Sequence, residues 1–321
     1  MKKVLIGCML CISFSGLAQD PVFTQFFMIP ETLNPGFTAG KKVTRAGIIH
    51  RTQWPGLNFS INSQYAFVDN WFEEVDSGLG ISVLNQKETA TRYNLTQVNL
   101  NYVYEVQLSN DWFFRPSLTF GLGQKNFGFQ DLLLEDQINL FQGVINPTSI
   151  DPMNLSDTRL FFDFSSSLMF YNEHSWVGFT AKHLNRPNIS MTYDGAEALD
   201  IFMSLHTSIH IPLGYRTETR LYALANAMSQ GEYSRVDAGG KVEIDKFSFA
   251  LLASSNPFKS EINSHLFHSI NGFVGLEWEG FKFGYSYDFN ITDIGRTGGV
   301  YELSVSYEFG GNKSCFGCPD Y

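Results

Sequence analysis

From Phe281 to Phe309 the chain alternates with a period of two. Phe281, Phe283, Tyr285, Tyr287, Phe289 and Ile291 are apolar, and Lys282, Gly284, Ser286, Asp288 and Asn290 between them are polar or small. After a loop holding Asp293, Gly295, Gly298 and Gly299, the alternation returns. Tyr301, Leu303, Val305, Tyr307 and Phe309 occupy one face, and Glu302, Ser304, Ser306 and Glu308 the other. Successive strand side chains point to opposite faces, so the pattern predicts an antiparallel hairpin with one aromatic wall and one polar, partly charged wall.

The same device recurs along the whole chain. The pattern predicts strands near Val43–Trp54, Asn58–Asp69, Gly78–Lys87, Tyr93–Gln107, Trp112–Phe127, Thr158–Tyr171 and Ser175–Leu184. It continues near Asp200–Leu213, Thr217–Ser229, Arg235–Ile244, Lys246–Ser254 and Leu266–Trp278, and ends in the hairpin above. That makes about fourteen, most of them long enough for tilted membrane strands of ~9–11 residues. The connections sort by length. Ser109-Asn110-Asp111, Asn172-Glu173-His174, Gly214-Tyr215-Arg216, Asp245 and Glu279-Gly280 are tight. Gly128–Asp157, Asn185–Leu199, Ser255–His265 and Thr292–Gly299 are long. Short turns on one rim and long loops on the other mark an all-β, up-and-down antiparallel transmembrane barrel of the outer membrane. Both termini then fall on the short-turn, periplasmic rim.

Composition sharpens this reading. Charged residues make up 17% and aromatics 15%, with 30 Phe and 14 Tyr. Aromatic residues suit a lipid face and its interfaces, and uncharged polar residues suit a lumen. The formal charge of −10 argues against nucleic-acid binding, which needs a basic footprint. Lys2 and Lys3, the apolar stretch Val4–Phe14 and Gly16-Leu17-Ala18 read as an export signal cleaved before Gln19. The expected organisation is a signal peptide at 1–18, an N-terminal periplasmic lead-in or lumenal plug at 19–40, a barrel at 41–310 and a periplasmic tail at 311–321. Phe23, Phe26, Phe27 and Ile29 could share a face of a short helical turn, followed by the turn signal Asn34-Pro35-Gly36. Packing on the barrel base and insertion into the lumen are both open for this segment.

Catalytic chemistry finds little support. His206 and His210 are four apart, which on a strand means roughly 13 Å, too far for a shared metal. His265 and His268 fall on opposite faces of an extended chain. Glu73, Glu74 and Asp76 read as a solvated turn. No G-x-S-x-G, P-loop or H-E-x-x-H pattern occurs in the sequence, and no cofactor or metal is implied. Once the leader is gone, only Cys315 and Cys318 remain. Their C-x-x-C could be a redox pair, half a zinc site or a small disulfide, and an oxidising compartment favours the disulfide.

Five stretches carry a resemblance to a known family. They are Gln19-Asp20-Pro21-Val22-Phe23-Thr24-Gln25-Phe26 with Leu33-Asn34-Pro35-Gly36; His50-Arg51-Thr52-Gln53-Trp54-Pro55-Gly56; Gly178 through His183 to Pro187; Gly284-Tyr285-Ser286-Tyr287-Asp288; and Tyr301-Glu302-Leu303 onward. Together they make the chain resemble the PorP/SprF family of outer-membrane proteins, associated with type IX secretion and gliding motility in Bacteroidetes. The departures are Val300-Tyr301-Glu302 where the family often has Ser-His-Glu, and Pro35-Gly36-Phe37 where Pro-Ala-Tyr is common.

The resemblance implies a non-enzymatic barrel that binds secreted C-terminal-domain cargo or an adhesin and supports its export or surface attachment. It also implies peptidoglycan-linked periplasmic partners, and it marks Asn34, Pro35, Trp54, His183, Tyr285, Tyr287, Asp288 and Glu302. The apolar residues Leu132, Leu133, Leu134, Ile138, Leu140 and Phe141 make the longest loop a candidate partner-binding surface. A passive channel or hydrophobic-solute transporter is the alternative.

Overall fold

A strand whose alternate side chains are apolar must find an apolar medium for that face. Here the medium lies outside the sheet. The computed structural model describes residues 20–57, 59–128, 138–139, 144–145, 158–192, 195–211, 213, 219–257, 267–291, 297–310 and 318–319. Fourteen antiparallel strands close on themselves. They are β1 (Arg45–Gln53), β2 (Ile61–Phe72), β3 (Ser77–Glu88), β4 (Asn94–Tyr104), β5 (Phe113–Asn126), β6 (Thr158–Tyr171) and β7 (Ser175–Lys182). The circuit continues with β8 (Phe202–Ile211), β9 (Thr219–Gln230), β10 (Tyr233–Ile244), β11 (Phe247–Ser255), β12 (Phe267–Trp278), β13 (Phe281–Asn290) and β14 (Val300–Glu308). Each pairs with its neighbours in sequence, and β1 meets β14 from Arg45↔Glu308 to Gln53↔Val300. Closure removes the unpaired edges that a bilayer does not tolerate.

The face assignment is the reverse of a soluble protein. On β3, Leu79, Ile81 and Val83 are exposed while Gly80 and Ser82 are buried. On β5, Leu118, Phe120 and Leu122 point out and Ser117 and Thr119 point in. Leu160 is 72% exposed and Leu122 70%, whereas Asp163 on the same sheet is 2% exposed. Water would penalise so wide an apolar band, and hydrocarbon does not. Among the described residues, no helix is long and apolar enough to cross a membrane.

After Tyr104 the ladder breaks at Glu105, whose N–H donates to Asp76 O, and it resumes at Val106–Gln107 against β5. Glu105 keeps the inward face that the alternation gives it, its carboxylate meeting Lys42 (2.7 Å) and Tyr171 Oη (2.7 Å). After β7, period two would send His183 outward to lipid. Its φ of +61° reverses that, and the imidazole is buried instead.

Candidate functional site

Residues 20–42 run inside the closed sheet. They have no strand alternation, so their backbone groups cannot join a ladder and must find side chains. Short 3-10 turns at Pro30–Thr32 and Pro35–Phe37 satisfy some of them. The inward polar side chains of the barrel satisfy others. Glu302 on β14 accepts from two successive amides, Thr24 N to Oε1 (2.8 Å) and Gln25 N to Oε2 (3.0 Å). Arg51 on β1 donates to the same carboxylate at 2.5 Å. Thr24 Oγ1 donates to Asp288 Oδ2 (2.8 Å), and Gln25 bonds Ser286 and Ser304. Lower down, Ala39 N donates to Asp69 Oδ2 (2.9 Å), Arg115 donates to Thr38 O (2.7 Å), and Arg45 pairs with Glu31.

Asn34 works as a junction. Its Oδ1 accepts from Gly36 N (2.6 Å) and Ser167 Oγ (2.5 Å). Its Nδ2 therefore faces His206 Nε2 at 3.0 Å, and since an amide nitrogen only donates, that ring nitrogen accepts. Phe37 packs edge-on against Trp176, ring centroids 4.9 Å apart, beside His206.

On the other side Phe26, Phe27 and Leu33 pack with Phe202, Tyr222, Leu224, Leu252 and Phe273. Each such side chain contributes about 1.5–3 kcal/mol when taken from water. The close approach has a requirement on the wall. A Cβ on Gly178 would stand 2.3 Å from His206 Nε2 and 2.6 Å from Asn34 Nδ2. Gly178→Val is expected to lower barrel stability by about 1–3 kcal/mol through overpacking. Heat-modifiable gel migration measures it, with the outward Val177→Ala as a control of small effect.

The upper end of the segment is clamped electrostatically. Asp20 Oδ1 lies 2.9 Å from His183 Nε2, Lys182 Nζ is 3.7 Å from Asp20 Oδ2, and Asp163 Oδ2 is 3.0 Å from His183 Nδ1. Burial by itself would discharge both groups. The facing charges outweigh it: His183 and Lys182 hold the Asp20 carboxyl well below the usual range, and Asp20 and Asp163 push His183 up to about 9.

A raised histidine contributes fully below its ordinary 6.5 and loses that contribution as pH rises through about 9. A depressed carboxylate contributes fully above its ordinary 3.8 and loses that contribution as pH falls below it. The clamp is thus complete from about pH 4 to about pH 6.5. The barrel's unfolding temperature is expected to drop between pH 7 and about pH 10, by an amount equivalent to on the order of 3 kcal/mol. His183→Gln should flatten that pH profile.

Above Asp20 a cavity of about 800 Å³ remains, floored by Asp20, Pro21 and Val22. Gln53, Tyr93, Tyr233 and Asn290 on its wall belong to the long-loop ends of the strands or to those loops. Arg51 and Arg235 on this wall are neutralised by Glu302 and Asp237.

Of the residues marked by the sequence, Asn34, Pro35, His183, Asp288 and Glu302 converge on this filled lumen. Trp54 lies in the loop after β1, its N–H on Gly299 O. Tyr287 Oη donates to Gly298 O (3.4 Å), whereas Tyr285 faces outward and joins nothing in the lumen. Cys318 is disulfide-bonded, and Cys315 lies outside the described residues. Of the candidate partner-binding residues in the longest loop, Ile138 is among the described residues, exposed in a two-residue pairing of Ile138–Asn139 with Val144–Ile145. Leu132, Leu133, Leu134, Leu140 and Phe141 lie outside the described residues. No group of described residues could hold a metal ion.

Sequence reasoning quoted Asp20, Thr24 and Arg51 within the resembling stretches without giving them a role, and missed Arg45, Arg115 and Asp163. The signal was available for the strand residues among them: an inward charge in a barrel needs a partner in the lumen.

Residues 15–307 match the family model described as type IX secretion system membrane protein PorP/SprF. No curated protein matches the chain. Among solved structures, the outer membrane protein Omp33 of Acinetobacter baumannii is 8% identical, covering 84% of this chain and 100% of its own, at a TM-score of 0.46. CdiB from Acinetobacter baumannii is 8% identical over 84% of this chain and 60% of its own, at 0.48. A triple mutant of the Rhodopseudomonas blastica porin is 7% identical over 83% and 99%, at 0.35.

Proposed function

The chain belongs to the PorP/SprF family of type IX secretion system membrane proteins, and on that premise we propose that it is a non-enzymatic binding barrel. It engages secreted C-terminal-domain cargo or an adhesin at its long loops and supports export or surface attachment, including in gliding. The observation that carries this reading is the occupied lumen. Residues 20–42 are hydrogen-bonded and packed to strands around the circumference, which suits a scaffold more than a conduit for solutes. The apolar loop residues Leu132, Leu133, Leu134, Ile138, Leu140 and Phe141 are the proposed contact surface, and peptidoglycan-linked periplasmic components are the proposed partners on the short-turn side. A disulfide between Cys315 and Cys318 would brace the tail on that side.

Affinity capture from native outer membranes tests this reading. Secreted cargo should be recovered with the intact barrel and lost on deletion of Asp131–Phe141 with folding preserved. Stable open channels from the purified intact protein in planar bilayers, with no cargo recovered, would instead establish the transport alternative.

A further inference from the structure

The two ends of the lumenal segment lie at opposite rims. Lys42 pairs with Glu105 and Lys41 Nζ donates to Pro319 O, both beside the short-turn ends of the strands. Asp20 is at the other end. Its N–H donates to Gln230 Oε1 (2.8 Å) at the long-loop end of β9, and its carboxylate meets His183 just past the long-loop end of β7. Below Asp20 the lumen is filled: Phe23, Thr24 and Gln25 are buried, and both Glu302 oxygens are taken by the Thr24 and Gln25 amides. The space open to the chain preceding Asp20 is the vestibule of about 800 Å³.

We propose that the mature amino terminus faces the outer, long-loop side of the membrane, at the floor of this vestibule, while the chain enters the barrel wall from the short-turn side. The expectation that both termini share the short-turn rim then holds only for the end that follows β14. One consequence follows from the geometry: a partner entering from outside meets the first residues of the mature chain as part of the surface it touches. The inference concerns the path of the chain and stands apart from the cargo reading above.

Three epitope insertions in the full-length protein test it on intact cells. One is placed between Ala18 and Gln19, one in the long-loop segment after Gly195, and one in the tight turn at Asp245–Lys246. Heat-modifiable migration checks that each barrel folds. Antibody should reach the first two on intact cells and the third only after permeabilisation. An amino-terminal tag that stays protected while the Gly195 tag is reached would overturn the proposal, as would a reached Asp245 tag with a protected Gly195 tag.

Because a bulky tag can itself block seating, Val22→Cys gives a second measurement with a membrane-impermeant maleimide. Labelling of intact cells above the parent chain is expected. Labelling only after permeabilisation would overturn the proposal.

Discussion

Deletion of residues 20–40 behind a retained signal sequence is expected to turn a silent barrel into a conducting one. In a soluble protein, removing so many buried side chains would collapse the core. Here the vacated wall keeps an apolar part in Phe202, Leu252, Phe273 and Trp176, but most of it is Ser63, Ser82, Thr119, Ser167, Ser286 and Ser304 with charges such as Arg51, Asp69, Arg115 and Glu302, which water can solvate. The strand ladders and the lipid-facing apolar rows are untouched by the deletion. The barrel should therefore persist with a hydrated lumen, as larger barrels do. Planar bilayer recordings check this: no steps for the intact protein, resolvable single-channel steps for the shortened one. A folded but silent deletion variant would mean that something other than residues 20–40 seals the lumen.

Glu302→Ala is the point substitution with the largest expected cost. It strips the Arg51 guanidinium of its nearest carboxylate and leaves two consecutive amides, Thr24 N and Gln25 N, without acceptors. Removing one partner of a buried ion pair costs about 3–5 kcal/mol, because the charge left behind stays desolvated. Asp288, 3.7 Å from Arg51, offsets part of this. Glu302→Gln keeps one acceptor and the shape, so a smaller loss is expected. The midpoint of heat-modifiable unfolding orders the series, and partial conductance of the Ala variant should accompany it as the segment loosens. Equal midpoints for wild type and Glu302→Ala would show that this carboxylate does not anchor the segment.

The residues themselves explain why some of this was readable in advance. Phe281, Phe283, Tyr285 against Lys282, Gly284, Ser286 is a local pattern, and the strand ends it gives for β13 and β14 agree with the observed ones to within a residue or two. The loop-length sorting is equally local, although the connection from β9 to β10, Gly231-Glu232, is tight on the long-loop rim. Gly178 and Gly284 stood in the motifs without a visible reason. Their reason is the close passage of Asn34 and Gln25, each within 3 Å of where a Cβ would be. His183 defeated the period-two rule because a left-handed residue after β7 reverses the face.

Alternation along each strand, read together with the sorting of loop lengths and a composition rich in aromatics and poor in charge, was enough to indicate the closed sheet and which side of it meets hydrocarbon, since those follow from local properties of the chain. What fills the barrel was left open, because Thr24 finds Glu302, and Asp20 finds Gln230, only after the intervening chain has closed into a ring. A segment without periodicity carries no local mark of its destination. Only the inward charges and hydroxyls of fourteen assembled strands create the polar, partly apolar cavity that takes it in.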